Sequence, residues 1–102
     1  VCGAVVLAAN PRRLDAIDVR RVHGESRLNG QLEVEGDASA VLGNPVTSVA
    51  WLANKLGQFG VVFEPGQVVL TGSFVRAIPV KAGDDVLCRF DQGLGDLSMS
   101  FT

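Results

Sequence analysis

Histidine and cysteine are scarce in this chain, with one His and two Cys among 102 residues. With His23 alone, no histidine-based dyad or triad can form unless another side chain supplies the base, and a lone strand histidine reads as structural. Cys2 and Cys88 lack metal-type spacing, and no basic residue near Cys2 depresses its pKa, so neither a zinc cluster nor a cysteine nucleophile is indicated. Both read as reduced, buried thiols of a cytoplasmic protein, without a disulfide. Charge of one sign is also missing: nine Lys and Arg face eleven Asp and Glu, for a net charge of −2 and a pI near 5.2. Arg12-Arg13 and Arg20-Arg21 are offset by Asp15, Asp18 and Glu25, which leaves no basic stripe for a nucleic acid. The longest apolar run, residues 4–9, is far short of the ~20 residues that cross a bilayer, and no basic segment precedes it. No membrane, repeat, linker or low-complexity segment is indicated.

What is present is apolar residue in quantity, 47% of the chain, enough for one modest core and one domain over residues 1–102. The run Val5-Val6-Leu7, stopped by Asn10-Pro11, suits a strand covered on both faces. Because the chain opens on such a strand rather than on Met, it reads as part of a longer domain. Ile17, Val19 and Arg21 alternate with Asp18 and Arg20. Leu28-Asn29-Gly30-Gln31 then supplies the Asn-Gly pair of a tight I′ turn, and Leu32-Glu33-Val34-Glu35 returns.

Asn44-Pro45 predicts a helix start, since the Asn side chain can accept an orphan N–H and Pro fits the first helical position. The helix is expected over residues 45–56. Val46, Val49, Ala50, Ala53 and Leu56 form an i, i+3, i+4 stripe, and Trp51 and Leu52 add apolar surface beside it, predicting burial on more than one side. Gly57 or Gly60 ends it. After Pro65-Gly66, strands are predicted at 67–71 and 75–80, then a turn at Lys81-Ala82-Gly83-Asp84. Val86, Cys88 and Phe90, and then Leu97, Met99 and Phe101, alternate with more polar neighbours around 91–95, predicting a second hairpin.

Three linked segments carry a resemblance: Leu42-Gly43-Asn44-Pro45 running into Val49 to Leu56; Val68-Val69-Leu70-Thr71-Gly72-Ser73; and Lys81-Ala82-Gly83-Asp84 to Gly93-Leu94-Gly95. Together they are similar to the C-terminal portion of the 2-keto-4-pentenoate hydratase and 2-oxohept-3-ene-1,7-dioate hydratase family, within the fumarylacetoacetate hydrolase superfamily. The resemblance implies an α+β, mostly β fold, a mixed β-roll or sandwich packed on one main helix. It makes the chain the C-terminal part of a longer catalytic domain. It also implies a metal-dependent lyase of aromatic-compound catabolism that adds water to a 2-hydroxy-dienoate or 2-oxo-enoate. In such chemistry Mg2+ or Mn2+ stabilises an enolate as a Lewis acid, held by carboxylates expected upstream of residue 1. Where the family tends to carry small hydroxyl residues, this chain has Val1-Cys2. Homo-oligomeric assembly follows from the same resemblance.

Glu33 and Glu35, two apart on a strand, could share a cation, but on the polar face of an alternating strand they read as solvated. Thr71 is the better candidate, because it leaves a strand with a hydroxyl and an N–H to offer while Gly72 lets a ligand approach. The resemblance assigns Thr71 and Ser73 to the substrate carboxylate, and Arg76 to a second, distal carboxylate that a guanidinium grips bidentately. Asn44 reads as a cap, Asn54 as an internal hydrogen-bond partner, and Lys55 as a cation favoured at a helix end. Trp51 reads as core or subunit interface. Two further readings remain open: the sister 4-oxalocrotonate decarboxylase, and a non-catalytic β-rich module that binds a small acid or supports assembly.

Overall fold

Asn29 (φ 52°) and Gly30 (φ 84°) both take positive φ, as a type I′ turn requires. They join β1 (His23–Leu28) to β2 (Gln31–Asp37) in the hairpin that the Asn-Gly pair predicts. The computed structural model describes residues 3–102; Val1 and Cys2, and the readings placed on them, lie outside the described residues. A helix, α1 (Pro45–Gly57), follows, and then the second predicted hairpin, β3 (Asp85–Phe90) with β4 (Gly95–Ser100). Antiparallel pairing of β1 with β3 unites the hairpins in one four-stranded sheet of order β2-β1-β3-β4. Among the described residues every pairing is antiparallel, in keeping with the mostly antiparallel sheet expected, and the parallel pair of a mixed sheet is not among them.

The two faces of the sheet differ in kind. Cross-strand partners place Val34, Ser26, Cys88 and Leu97 in one row and Leu28, Val86 and Met99 in another, which makes this face mostly apolar. On the opposite face Glu35, Glu25, Arg89 and Asp96 form a row of charges. Glu25 and Glu35 are directly opposed like charges, a destabilising cross-strand pair. Arg27 relieves Glu25 at 2.9 Å and His23 relieves Glu35 at 3.1 Å.

The hairpins are locked at one end by Asp84, which is only 4% exposed. Its carboxylate accepts from the Lys81 ammonium and the Lys81 N–H, each at 2.9 Å, and from the Asn29 amide at 3.0 Å. Asn29 in turn accepts from the Asp85 N–H at 2.9 Å and donates its own N–H to the Asp85 carbonyl at 2.8 Å. The Asp84 carbonyl accepts from Phe101 at 2.9 Å. One residue, through its carboxylate and its backbone carbonyl, therefore ties the β1–β2 turn, the 81–84 turn and the end of β4 together.

The helix begins as predicted, with Asn44 accepting from the Val46 N–H at 3.0 Å and Pro45 in the first turn. It closes through Gly60 (φ 73°), with Val61 N–H bonded to the Leu56 carbonyl at 3.1 Å and Gly60 N–H to the Gly57 carbonyl at 3.1 Å, the paired bonds of a Schellman ending. Its predicted burial is not found. No helix residue is buried and Trp51 is 63% exposed, because α1 lies off the sheet and, among the regular elements, meets chiefly the turn at Val19–Arg21.

Four predicted strands are also absent. Val5, Val6 and Leu7 are 49–67% exposed and join no strand. Val19–Arg21 is a 3-10 turn, because the Asp18 carboxylate accepts the Arg20 N–H at 3.2 Å and diverts the backbone from strand pairing. Residues 67–71 and 75–80 stay outside the sheet, interrupted by Gly72 at φ 97° and by Pro79, which has no N–H to give. The buried apolar residues among those described are Val22, Ala38 and Val86. The radius of gyration, 15.1 Å, exceeds the about 13 Å typical of a chain this long.

The Asp84 lock makes a prediction about acid. The Lys81 ammonium, then the Asn29 amide, hold the Asp84 carboxyl down to about 2 from its ordinary 3.8. A depressed carboxyl stabilises the fold fully above the unfolded value and loses that contribution as pH falls through the folded one. Stability is therefore expected to drop between pH 3.8 and about 2. Asp84→Ala should remove that step and lower the melting temperature at pH 7 by roughly 5–10 °C, both read by circular dichroism.

Candidate functional site

Gly24 and Gly36 face each other across β1 and β2 on the apolar side of the sheet. A Cβ on Gly24 would lie 2.8 Å from the Phe74 ring, and one on Gly36 would lie 2.8 Å from the Phe74 carbonyl oxygen. The two absent side chains thus form a slot, and the segment 72–75 crosses the sheet in it. Interior strand glycines where another backbone comes close are the sequence signal for this arrangement, and it went unread.

Beneath this strap lies a cavity of about 290 Å3, lined by residues 24–26 of β1, residues 72–75 of the strap, and Cys88 and Phe90 of β3. Its walls are mainly apolar. The polar atoms within it are few: Ser26 Oγ and Cys88 Sγ lie 3.4 Å apart. Such a space, apolar with a few polar groups, suits a small organic ligand. A second cavity of about 350 Å3 lies between α1 and residues 61–70, lined by Leu52, Leu56, Val61, Phe63 and Val68 among others. Apart from Gln67 its lining side chains are apolar, so it offers little to chemistry.

The three predicted substrate residues sit along the strap. Thr71 is half-buried, and among the described residues its hydroxyl makes no hydrogen bond. It is a hydroxyl without an internal partner beside Gly72, whose φ of 97° favours a residue without Cβ. Ser73 is engaged locally: its Oγ donates to the Val75 carbonyl at 2.7 Å and accepts from the Val75 N–H at 3.2 Å, which shapes the strap. Arg76 turns away to β2, where Nη2 lies 3.2 Å from Glu33 Oε1 and 3.5 Å from the Glu33 carbonyl. Ser73 lines the cavity; Thr71 and Arg76 do not.

Glu33 and Glu35 do not act as a pair. The β1–β2 register slips between Ser26 and Arg27, leaving Glu33 as the extra residue of a bulge between Leu32 and Val34. Glu33 binds Arg76, and Glu35 binds His23. Asn54 is exposed and makes no side-chain hydrogen bond among the described residues, where an internal partner was expected. Among the described residues no group of three or more His, Cys, Asp or Glu is placed to hold a metal ion. No helix among them is long and apolar enough to cross a membrane.

His23 stands between two carboxylates on the charged face. Nδ1 lies 2.7 Å from Asp37 Oδ1 and Nε2 lies 3.1 Å from Glu35 Oε2. A neutral imidazole can donate through one nitrogen only, so both contacts favour the imidazolium. The Asp37 carboxylate, then Glu35, raises the His23 pKa above 6.5.

The chain is similar to known enzymes along nearly its whole length. It is 39% identical to 2-hydroxyhexa-2,4-dienoate hydratase of Comamonas testosteroni over 99% of this chain and 38% of the relative. It is 40% identical to 2-oxo-hept-4-ene-1,7-dioate hydratase of Escherichia coli over 95% of this chain and 36% of that one. The chain thus spans under two-fifths of the curated relatives it matches. Structures of 4-oxalocrotonate decarboxylase from Pseudomonas putida G7, complexed with calcium and acetate or with magnesium and adipate, superpose with a TM-score of 0.80 at 38% identity. They cover 87% of this chain and 34% of theirs. No protein-family model matches.

Two outcomes test the site's architecture. Gly36→Ala should drive the strap from its slot and cost about 1–3 kcal/mol, measured as a lower denaturant midpoint. His23 should titrate by NMR with a midpoint above 6.5. Its stabilising contribution should be complete below pH 6.5 and vanish as pH rises through that midpoint. Asp37→Asn should bring the midpoint down.

Proposed function

The chain belongs to the 2-keto-4-pentenoate hydratase family over the part of those enzymes that it spans, and on that premise we propose that the whole protein is a hydro-lyase. It adds water to a 2-hydroxy-dienoate or 2-oxo-enoate, such as 2-oxopent-4-enoate or 2-oxohept-3-ene-1,7-dioate, in the breakdown of aromatic compounds. The observation that carries this reading is the match to two hydratases over 95–99% of the chain. The same membership supports a fumarylacetoacetase-like fold, with this chain as its C-terminal portion. A homo-oligomer fits the exposure of Trp51 (63%) and Phe59 (73%).

A divalent cation, Mg2+ or Mn2+, is part of the proposal. The described residues do not fit one, since they bring no three His, Cys, Asp or Glu together for it; its carboxylates are assigned upstream of residue 1. This chain's contribution is substrate binding. Thr71, with its free hydroxyl beside Gly72, donates to the carboxylate of the acid, and Ser73 shapes the strap that carries it.

The second reading is 4-oxalocrotonate decarboxylase, favoured by the superposition with that enzyme. The two differ in the fate of one substrate. The protein expressed from its complete reading frame, with Mg2+, should consume 2-hydroxypenta-2,4-dienoate with loss of dienol absorbance. Carbon dioxide release from 4-oxalocrotonate outpacing that reaction would select the decarboxylase. Turnover of neither would leave a non-catalytic module. Thr71→Val should lower kcat/KM by about 10- to 100-fold, the 1–3 kcal/mol of a lost partner in a desolvated site.

A further inference from the structure

Identity does not separate acids with an uncharged tail from acids with a second carboxylate. The chain stands at 39% with a hexadienoate hydratase and at 40% with a heptenedioate hydratase. The geometry separates them. The cavity beneath the strap has no Lys or Arg in its lining, and its one charged lining residue, Glu25, belongs to the charged row of the opposite face, where its carboxylate is bonded to Arg27 at 2.9 Å. A second carboxylate entering there would meet apolar walls without a cation to offset its desolvation.

The guanidinium that could serve it is held elsewhere. Arg76 follows Val75, a wall of the cavity, yet its side chain is drawn to the Glu33 carboxylate at 3.2 Å and the Glu33 carbonyl at 3.5 Å. Glu33 can take this position because it is the extra residue of the β2 bulge, a device that re-aims side chains beside binding sites. We propose that Glu33 is a positioning residue that sets substrate choice: by holding Arg76 on β2 it keeps the cavity free of positive charge and selects 2-oxo acids whose tail is uncharged. This rests on the strap being the substrate side of the proposed enzyme. Released from Glu33, Arg76 becomes available for the distal carboxylate that the family resemblance assigns to it.

Calorimetric binding of 2-oxohexanoate and 2-oxoadipate to the protein from its complete reading frame tests this without requiring turnover. The unsubstituted protein should prefer 2-oxohexanoate. Glu33→Gln should tighten 2-oxoadipate by about tenfold, the scale of one charge-assisted contact, and leave 2-oxohexanoate within about twofold. Adding Arg76→Ala should cancel that gain, while Glu33→Asp should keep the original preference. In turnover, KM for the dicarboxylic substrate should fall in Glu33→Gln with kcat unchanged. A preference for 2-oxoadipate in the unsubstituted protein, an unaltered ratio in Glu33→Gln, an equal change for both acids, or binding of neither overturns the inference. The expected binding pattern without hydration of any dienoate would sink the hydratase reading and leave this one standing.

Discussion

The sheet depends on a carboxylate that is almost wholly removed from water. Asp84 is acceptable in that position only because each of its oxygens meets a donor: the Lys81 ammonium and the Asn29 amide on one, the Lys81 N–H on the other. A buried carboxylate without partners would be among the costliest features a chain this small could carry. With them it fixes the separation between the β1–β2 turn and the start of β3, and so the register in which the two hairpins meet. The mostly apolar face then follows, since a slip of one residue would turn Val86 and Cys88 to the charged side.

The strap uses that register. Phe74 lies in a slot that exists because Gly24 and Gly36 are directly opposite each other, and Thr71, Ser73 and Arg76 take their positions from it. The proposed substrate contacts are thus coupled to the fold through backbone approach rather than through a deep core. Val22, Ala38 and Val86 are the buried apolar residues among those described. Hydrophobic burial here is thin, and polar locks carry an unusual share of the specificity of the arrangement.

What the sequence made legible was whatever local chemistry decides. Asn29-Gly30 dictates its own turn, Asn44-Pro45 its own helix start, and the alternation of 86–90 and 97–101 its own pairing. What it hid was whatever depends on a distant neighbour. Residues 5–7 and 67–71 have the composition of covered strands, but pairing requires a partner edge, and within this chain they meet none. Trp51, read as core or subunit interface, and Leu52 show the same limit: apolarity states what a residue would bury, not what is there to cover it. Of the proposed site, the Thr71-Gly72 pair is visible in the sequence as a motif. The hold of Glu33 on Arg76 was not, because it arises from a bulge that alternation cannot reveal. Asp18 misled in a different way, its side chain competing locally with the strand that the flanking apolar residues suggested.

The strand order β2-β1-β3-β4 carries a consequence for how the molecule is made. Each hairpin closes over a short turn, and such units form within about 1–10 μs. Joining them is a different problem, since β1 and β3 are separated in the chain by β2, α1 and the whole strap, and the entropy of closing that excursion must be met before their ladder returns anything. The central pairing of the sheet is therefore its last to form, and while it is unmade the β1 and β3 edges stand open together. During that interval either can take a strand from another molecule in place of its own. The Asn29–Asp85 contacts span the same excursion, at the end of the seam nearest the β1–β2 turn.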